Sequence, residues 1–278
     1  MGQWNPNYIE RAIDERQSST NVVIVETDIG QGYAKFIGNP AGEHCLASEY
    51  VCTQLAEWLG LPTLDYGLVG VDENLDSIRL YNGSMARSGP AFITRLESGD
   101  VWDGTKKQLS RVSNPDDISR LVVFDTWVMN RDRKSRLMHL PNNVLLSTEQ
   151  SEDGKVRIVA IDHTHCLTDT TGNSIDLNQL GSPDVKEVFG LFTEFRPFLD
   201  RTVIRSTAER LSSLDRSIVA SIVKSIPVEW GVPRGTRQRI VNLLLKRAAR
   251  TADAIENLLL DPVQTQKSLD LGLQEGDK

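Results

Sequence analysis

The sequence predicts an α+β fold of two lobes, a small β-rich N-lobe followed by a larger helical C-lobe. Between residues 22 and 96, β-branched runs alternate with Gly, Asn, Asp and Ser turns, as expected for strands. From residue 114 to residue 260, apolar residues recur mostly at helical spacing. The polar, glycine-containing stretch 97–104 separates the two regions. We therefore expect an N-lobe over 1–96, a C-lobe over 97–260 and a polar tail over 261–278.

The N-lobe is predicted to begin with a short helix and a loose lead-in over residues 1–20. A hairpin follows over residues 22–37, with Gly30 and Gly32 in its turn. A helix is expected over 43–59, because small and apolar residues share one face there at about 100° per residue. Further strands are predicted at 64–71, 77–82 and 90–96.

Glu49 lies on the apolar face of the helix predicted over 43–59, where an unpaired carboxylate would be costly. In one interpretation Glu49 sits at the edge of that face and reaches solvent. In the other it forms a buried ion pair with a lysine on a neighbouring strand. Lys35, on the returning strand of the hairpin, is the candidate for that partner, and the sequence leaves both interpretations open.

The C-lobe is predicted to begin with a helix that has Asn114 as its N-cap and Pro115 at its first helical position. Asp125 lies on the buried stripe of this helix, which ends at 130–133. We expect Asp125 to accept backbone N–H groups that fix the following loop, since buried carboxylates are normally hydrogen-bonded. The elements predicted after that loop are strands at 143–148 and 155–161 and helices at about 184–199, 200–212, 215–226 and 234–260.

Three polar residues surround the hairpin formed by the strands at 143–148 and 155–161. Asp132 lies in the loop before it, Asn143 at its start and Asp162 at its end. Antiparallel pairing brings the outer ends of a hairpin together, so the Asn143 amide and the Asp162 carboxylate should face one volume, as a shared metal requires. Arg133, next to Asp132, is expected either to lower the pKa of that carboxylate or to form a surface salt bridge.

The order of these residues along the chain points to phosphoryl transfer. This chemistry uses a glycine turn over the phosphates, a lysine with its glutamate partner, a loop Asp, and oxygen ligands for Mg²⁺. Kinase-type folds supply these groups in one fixed order, and this chain offers the same order. The residues are Gly30, Gly32, Lys35, Glu49, Asp132, Asn143 and Asp162. The sequence therefore predicts a two-lobed protein-kinase-like fold that uses ATP and Mg²⁺.

Several runs of the chain resemble the HipA-like kinase family, which is distantly related to the phosphoinositide kinases. They are D-x-W-x-x-N-x-D-R at 125–133, N-V-L-L at 143–146 and I-D-H at 161–163. The pattern E-x-x-x-x-x-L-A-x-x-L-G-L-P from Glu49 to Pro62 resembles that family as well. The resemblance covers roughly residues 20–170.

The resemblance implies a role for each matching residue. Asp132 would be the catalytic base, Asn143 and Asp162 the Mg²⁺ ligands, Lys35 the contact to the ATP phosphates and Glu49 its ion-pair partner. The strand Ala91–Arg95, with Ile93 and Arg95, would lead into the adenine hinge.

The chain also departs from the family pattern. The insert Lys134–Asn142 between the loop Asp and the Asn is longer here, so Asn142 is an alternative to Asn143 as ligand. The well-studied toxins of the family are longer and carry an extra N-terminal subdomain that is not expected here. This difference does not favour DNA binding or a toxin–antitoxin role, and the sequence leaves that role open.

The composition of the chain disfavours several classes of protein, among them nucleic-acid-binding, membrane-spanning, disulfide-rich and zinc-binding proteins. A net charge of −7 and a pI of about 5.2 disfavour nucleic-acid binding, and no apolar run has the length of a membrane span. Three cysteines without a CxxC pair disfavour a disulfide framework and a zinc site, including one at His163, His165 and Cys166, and favour a cytoplasmic location. We expect an ATP-dependent kinase acting on Ser/Thr of a protein substrate. The alternatives are a pseudokinase-like nucleotide-binding module and a small-molecule or lipid kinase.

Overall fold

The computed structural model of the chain describes residues 4–15, 22–42, 44–72, 78–80, 83–133, 143–149, 151, 154–169 and 174–260. Its strands are β1 (Ile9–Glu15), β2 (Val23–Thr27), β3 (Gly30–Ile37), β4 (Tyr66–Val71), β5 (Arg87–Arg95), β6 (Gly99–Val101), β7 (Val144–Ser147) and β8 (Arg157–Ala160). Its helices are α1 (Cys45–Leu59), α2 (Lys106–Leu109), α3 (Asp116–Val128), α4 (Arg201–Ser212), α5 (Arg216–Lys224) and α6 (Arg234–Leu260), with short 3₁₀ turns at Thr193–Phe198 and Val228–Trp230. The strands form a five-stranded sheet in the order β1-β2-β3-β5-β4 and a three-stranded sheet in the order β6-β7-β8, both antiparallel.

The hairpin expected over residues 22–37 is formed by β2 and β3. Thr27 pairs with Gly30, so only Asp28 and Ile29 lie in the turn. Gly30, with φ +125°, begins β3, whereas Gly32 lies inside it, where a Cβ would come 2.7 Å from Thr94 O and from the Trp4 ring. Gly32 is thus a packing position inside the sheet and not a turn residue, which corrects the predicted glycine turn.

The N-terminal segment is a strand and not the predicted helix. Residues Ile9–Glu15 form β1 and pair antiparallel with β2 from Ile9↔Thr27 to Glu15↔Val23, with two register shifts. Most of this strand is exposed, so its sequence is polar and carries little strand signal. Pairing with the β-branched β2 overrides that weak local preference.

Gly67 in β4 allows the N-terminal segment to pass close to the sheet. Trp4 N donates to Tyr66 O at 3.0 Å, and a Cβ at Gly67 would lie 2.1 Å from Trp4 O. We expect Gly67→Ala to lower the free energy of unfolding by about 1–3 kcal/mol, the range for overpacked sites.

Gly70 in the same strand is the matched control for Gly67, because a Cβ there meets no atom of the described structure within 4 Å. Gly70→Ala should change the free energy of unfolding by less than about 0.5 kcal/mol. Urea denaturation of both variants measures the difference. Equal stabilities would contradict the close backbone approach at Gly67.

The main hydrophobic core is shared between α1 and the helices of the C-lobe. Side chains of α1 such as Val51, Leu55 and Leu59 pack in one cluster with side chains of α3, α4, α5 and α6. The five-stranded sheet keeps a separate cluster that includes Val25, Phe36 and Ile93. The predicted division at residues 96 and 97 falls in the connection between β5 and β6, and the assignment of domains stays a prediction.

The start of α3 differs in detail from the prediction. The Asn114 side chain does not cap the helix: its Nδ2 donates to Asp117 Oδ2 at 2.7 Å and to Ile158 O at 3.1 Å, and its Oδ1 accepts from Ile158 N at 2.9 Å. Asn114 therefore connects the start of α3 to β8.

Two other predicted elements are wrong or only partly described. No helix covers 184–199; the described structure there contains only the 3₁₀ turn Thr193–Phe198, and Gly190 has φ +68°. In the predicted strand 77–82, Arg79 forms an isolated bridge with Met85, and residues 77, 81 and 82 lie outside the described residues. In the part of the chain that the structure describes, no helix is long and apolar enough to cross a membrane.

Candidate active site

Lys35 on β3 lies at the centre of a buried polar cluster. Its Nζ is 2.7 Å from Glu49 Oε2, 2.8 Å from Asp162 Oδ1 and 2.9 Å from Thr164 Oγ1. The Lys35 side chain is 8% exposed and that of Glu49 is 5% exposed. The predicted Lys35–Glu49 ion pair is therefore present, and Glu49 is not a solvent-facing residue at the edge of its helix face.

Burial and charge act against each other in this cluster. Burial alone would lower the pKa of Lys35, but Asp162 and Glu49 together raise that pKa above its ordinary value. Burial would likewise raise the pKa of Asp162, but the Lys35 ammonium holds it well below its usual range. Burial raises the pKa of Glu49, and Lys35 opposes that shift. Lys35 and Asp162 are consequently both charged at neutral pH.

The α1 helix is bonded directly to the segment that follows β8. Both carboxylate oxygens of Glu49 accept from His163 N at 3.0 Å, and Glu49 Oε2 also accepts from Thr164 Oγ1 at 2.7 Å. Ser48 Oγ donates to His163 O at 3.3 Å and to Cys166 O at 3.2 Å. These contacts fix the position of Asp162 relative to Glu49.

The outer ends of the β7–β8 hairpin bring Asn143 and Asp162 together. Ile161 N donates to Asn143 O at 3.2 Å, and both Asn143 and Asp162 line the same cavity. Asn143 has φ +68° and Asp162 φ +54°, a left-handed conformation that is uncommon for residues other than glycine and occurs often at functional sites. Asn142, the alternative ligand, lies outside the described residues.

Asp132 is held beside Asn143 by the loop that follows α3. Asn143 Nδ2 donates to Asp132 Oδ2 at 2.9 Å. Asn130 Oδ1 accepts from Asp132 N at 3.2 Å and from Arg133 N at 3.3 Å, which fixes the loop backbone. Lys35, Asn143 and Asp162 thus line one cavity, and Asp132 does not line it but is bonded to Asn143 in its wall.

Asp125 and Arg133 have roles other than those predicted. The Asp125 carboxylate is fully buried and accepts from two side chains, Asn130 Nδ2 and Arg133 Nε, and not from the expected backbone N–H groups. Burial raises the pKa of Asp125, and Arg133 opposes that shift. The Arg133 side chain is 0% exposed, so it forms no surface salt bridge, and its carboxylate partner is Asp125 and not Asp132.

A cavity of about 510 Å³ opens beside Lys35, within the usual size range of small-molecule sites. Lys35, Glu49, Asn143 and Asp162 form part of its wall. Apolar side chains cover another part and suit a planar base; they include Val22, Leu64, Phe92, Val101, Leu145 and Ile161.

Four of the predicted nucleotide-binding residues do not line this cavity: Gly30, Gly32, Ile93 and Arg95. Ile93 faces the core of the five-stranded sheet, and Arg95 Nη2 donates to Glu149 Oε2 at 2.8 Å. Phe92 and Thr94 on β5 face the cavity instead, followed by Gly99, Asp100 and Val101. The alternation of side chains along a strand could have shown that 92 and 94 share a face opposite to 93.

The oxygen donors at the hairpin ends are suitable for a hard cation. Asn143 uses its Nδ2 to bond Asp132, which leaves its amide oxygen as a donor for a cation next to the Asp162 carboxylate. Mg²⁺ is commonly held by one or two protein ligands together with water and phosphate oxygens. The described residues contain no cluster of three or more His, Cys, Asp or Glu side chains placed to hold a metal.

Comparison with known proteins bears on the family and the fold of the chain. A family model described as HipA-like kinase matches residues 14–258. The proinflammatory kinase CtkA of Helicobacter pylori has a similar structure, with 12% identity, a TM-score of 0.55, and coverage of 94% of this chain and 99% of that one.

HipA of Shewanella oneidensis, from a toxin–antitoxin complex with HipB and operator DNA, is similar at 11% identity and a TM-score of 0.53, over 93% of this chain and 67% of that one. At such identities the likeness shows the fold, which is kinase-like. No curated protein matches the chain. Because the family model spans most of the sequence, the chain belongs to the HipA-like kinase family.

Proposed function

We propose that this chain is an ATP-dependent phosphotransferase that modifies serine or threonine hydroxyls of a protein. Membership of the HipA-like kinase family supports a kinase-type phosphotransferase, and such a family implies the use of ATP. The observation that carries the proposed use of Mg·ATP is the position of Lys35 Nζ, 2.7 Å from Glu49 and 2.8 Å from Asp162 in the cavity wall.

Each polar residue of the group has a proposed task. Lys35, oriented by Glu49, would bind the ATP phosphates, and Asp162 and Asn143 would hold Mg²⁺. When bound, Mg·ATP supplies the transferable phosphoryl group and the positive charge that neutralises it. Asp132 would accept the proton of the acceptor hydroxyl. The half-buried Asp132 is bonded to Asn143, which keeps its carboxylate at the edge of the proposed metal site.

The Lys35–Asp162 contact prepares both residues for a charged ligand. Each currently compensates the charge of the other in a buried setting, where an unpaired charge would be costly. A phosphate next to Lys35 and a cation next to Asp162 would provide the same compensation. Exchange of partners would therefore leave neither buried charge unpaired.

The chemical class of the phosphate acceptor and the cellular compartment of the chain are also proposals. A protein hydroxyl is proposed as the acceptor because the chain belongs to the HipA-like kinase family, and the resemblance to that family carried this expectation. The net charge of −7 supports neither nucleic acid nor an anionic membrane surface as a partner. We propose that the chain acts on its substrate in the cytoplasm.

Nucleotide binding by two variants separates the proposed roles of Asp162 and Asp132. Asp162→Ala should weaken Mg²⁺-dependent ATP binding about tenfold or more, since even indirect loss of metal-site contacts costs that much. Asp132→Ala should retain the binding and lose the transfer. Isothermal titration with Mg·ATP measures the nucleotide affinity of both variants. Chelation of Mg²⁺ should remove most of the difference in affinity between them. Equal loss of binding in both variants would contradict the separate roles.

Transfer itself is tested by incubating the wild-type chain with labelled Mg·ATP and a cell lysate. Labelled protein that is absent with Asp132→Ala supports the kinase. Nucleotide binding without transfer to the chain itself or to any lysate protein would favour the pseudokinase-like module instead. Label on lipid or on small molecules alone would redirect the proposal to those substrates.

A further inference from the structure

Arg133 connects the parts of the candidate site through one buried guanidinium. Its Nε donates to Asp125 Oδ2, and its Nη1 donates to Asn143 O and, at 3.2 Å, to Ile161 O. Its Nη2 lies 3.3 Å from His163 Nδ1. The side chain thus contacts α3, both ends of the β7–β8 hairpin and the segment after it.

The two carbonyl groups that accept from Arg133 lie in the backbone that carries the proposed metal ligands. Asn143 O belongs to one ligand, and Ile161 O belongs to the peptide that enters the other, Asp162. Both ligands have positive φ values, +68° and +54°, which need support from their surroundings to persist. Arg133 gives that support from a rigid, fork-shaped group.

Arg133 is itself fixed from the opposite side. The Asp125 carboxylate is 0% exposed, belongs to α3 and receives a further bond from Asn130 Nδ2 at 3.1 Å. A chain of contacts therefore runs from α3 through Asp125 and Arg133 to the carbonyl groups of Asn143 and of Ile161, the residue before Asp162.

We propose that Arg133 is a positioning residue that sets the geometry of the Asn143–Asp162 metal site, with Asp125 as its orienting partner. Arg133 touches neither ligand side chain and acts only through their backbone. The inference rests on the proposed function, because the site it organises is the one assigned there to Mg²⁺.

Arg133→Lys is the primary test, since a lysine keeps the charge but cannot contact Asp125 and both carbonyls from one planar group. Binding of Mn²⁺, as a spectroscopic substitute for Mg²⁺, is followed by electron paramagnetic resonance with a non-hydrolysable ATP analogue present. We expect Mn²⁺ affinity to fall about tenfold or more, as for other outer partners of metal ligands. Affinity for the analogue without metal should change by less than about threefold, because Lys35 and the cavity are unchanged.

Arg237→Lys is the matched control. Arg237 donates to carbonyls between Val223 and Val232, around the connection from α5 to α6, and none of these acceptors belongs to the candidate site. Loss of the Arg237 guanidinium should lower the free energy of unfolding and leave the Mn²⁺ affinity at the wild-type value. An Arg133→Lys chain with wild-type Mn²⁺ affinity, or a loss equal to that of Arg237→Lys, would overturn the positioning role.

Asp125→Asn provides a second variant in case Arg133→Lys does not fold. Its amide oxygen still accepts from Arg133 Nε, but the charge that orients the guanidinium is lost. The same selective fall in Mn²⁺ affinity supports the proposal, and unchanged affinity overturns it. A wild-type chain that binds no nucleotide would instead overturn the proposed function, and this inference with it.

Discussion

Asp132→Asn is expected to lower the rate of phosphoryl transfer by about 10²- to 10⁴-fold, the usual contribution of a positioned general base. The amide that replaces the carboxylate can still accept the bond from Asn143 Nδ2, now 2.9 Å long, so the loop geometry should persist. It cannot take up a proton from the acceptor hydroxyl. Initial rates of transfer at saturating Mg·ATP measure the effect.

Asp169→Asn is the control for the loss of one carboxylate near this loop. Asp169 Oδ1 pairs with Arg131 at 2.5 Å, and its side chain is 48% exposed. Asp132 is instead bonded to Asn143, which lines the cavity. The Asp169→Asn chain should transfer phosphate within about threefold of the wild-type rate, because an exposed ion pair contributes little to the stability of the fold. An Asp132→Asn chain that transfers phosphate as fast as Asp169→Asn would remove Asp132 from the proposed role.

Asp125→Ala is expected to lower the free energy of unfolding by about 3–5 kcal/mol, because it leaves the buried Arg133 guanidinium without its carboxylate. Asn130 Nδ2 loses an acceptor in the same step. Such a loss is a large fraction of the stability of an ordinary domain, which is about 5–15 kcal/mol. Urea denaturation followed by circular dichroism measures it.

Asp184→Ala is the control for the Asp125 result, because it breaks the ion pair with Arg250, whose two side chains are 49% and 47% exposed. Its cost should be under about 1 kcal/mol. The double variant Asp125→Leu/Arg133→Met should recover part of the stability, since it removes both buried charges. Equal costs for Asp125→Ala and Asp184→Ala would contradict a buried, mutually dependent pair.

The sequence was most informative where local pattern and pairing geometry act together. Asn143 and Asp162 are at the ends of two short apolar strands, and antiparallel pairing leaves one way to place those ends. The Lys35–Glu49 pair was also accessible, because a carboxylate on an otherwise apolar helix face requires a partner. The kinase-like fold follows from the same residues in order.

Contacts between distant segments explain what the sequence did not reveal. Arg133 looked like a neighbour of Asp132, yet its side chain points to Asp125 and to carbonyls 10 and 28 residues later in the chain. In 184–199, apolar residues such as Phe192 and Phe195 recur at helical spacing, but they pack against Trp102 from an irregular backbone. Positive φ at Gly190 and Pro197 in the 3₁₀ turn interrupt any regular helix there.

The bonds between α1 and the segment after β8 have a consequence for how the proposed activity could be regulated. Glu49 and Ser48 on α1 bind the backbone next to Asp162, and α1 is itself buried among the C-lobe helices. An outward swing of α1 would therefore break the Lys35–Glu49 pair and disturb the proposed metal site at the same time, at the expense of buried contacts. A regulator that leaves the proposed metal site intact is therefore expected to act elsewhere than on the position of α1, for example on entry of the acceptor or the nucleotide.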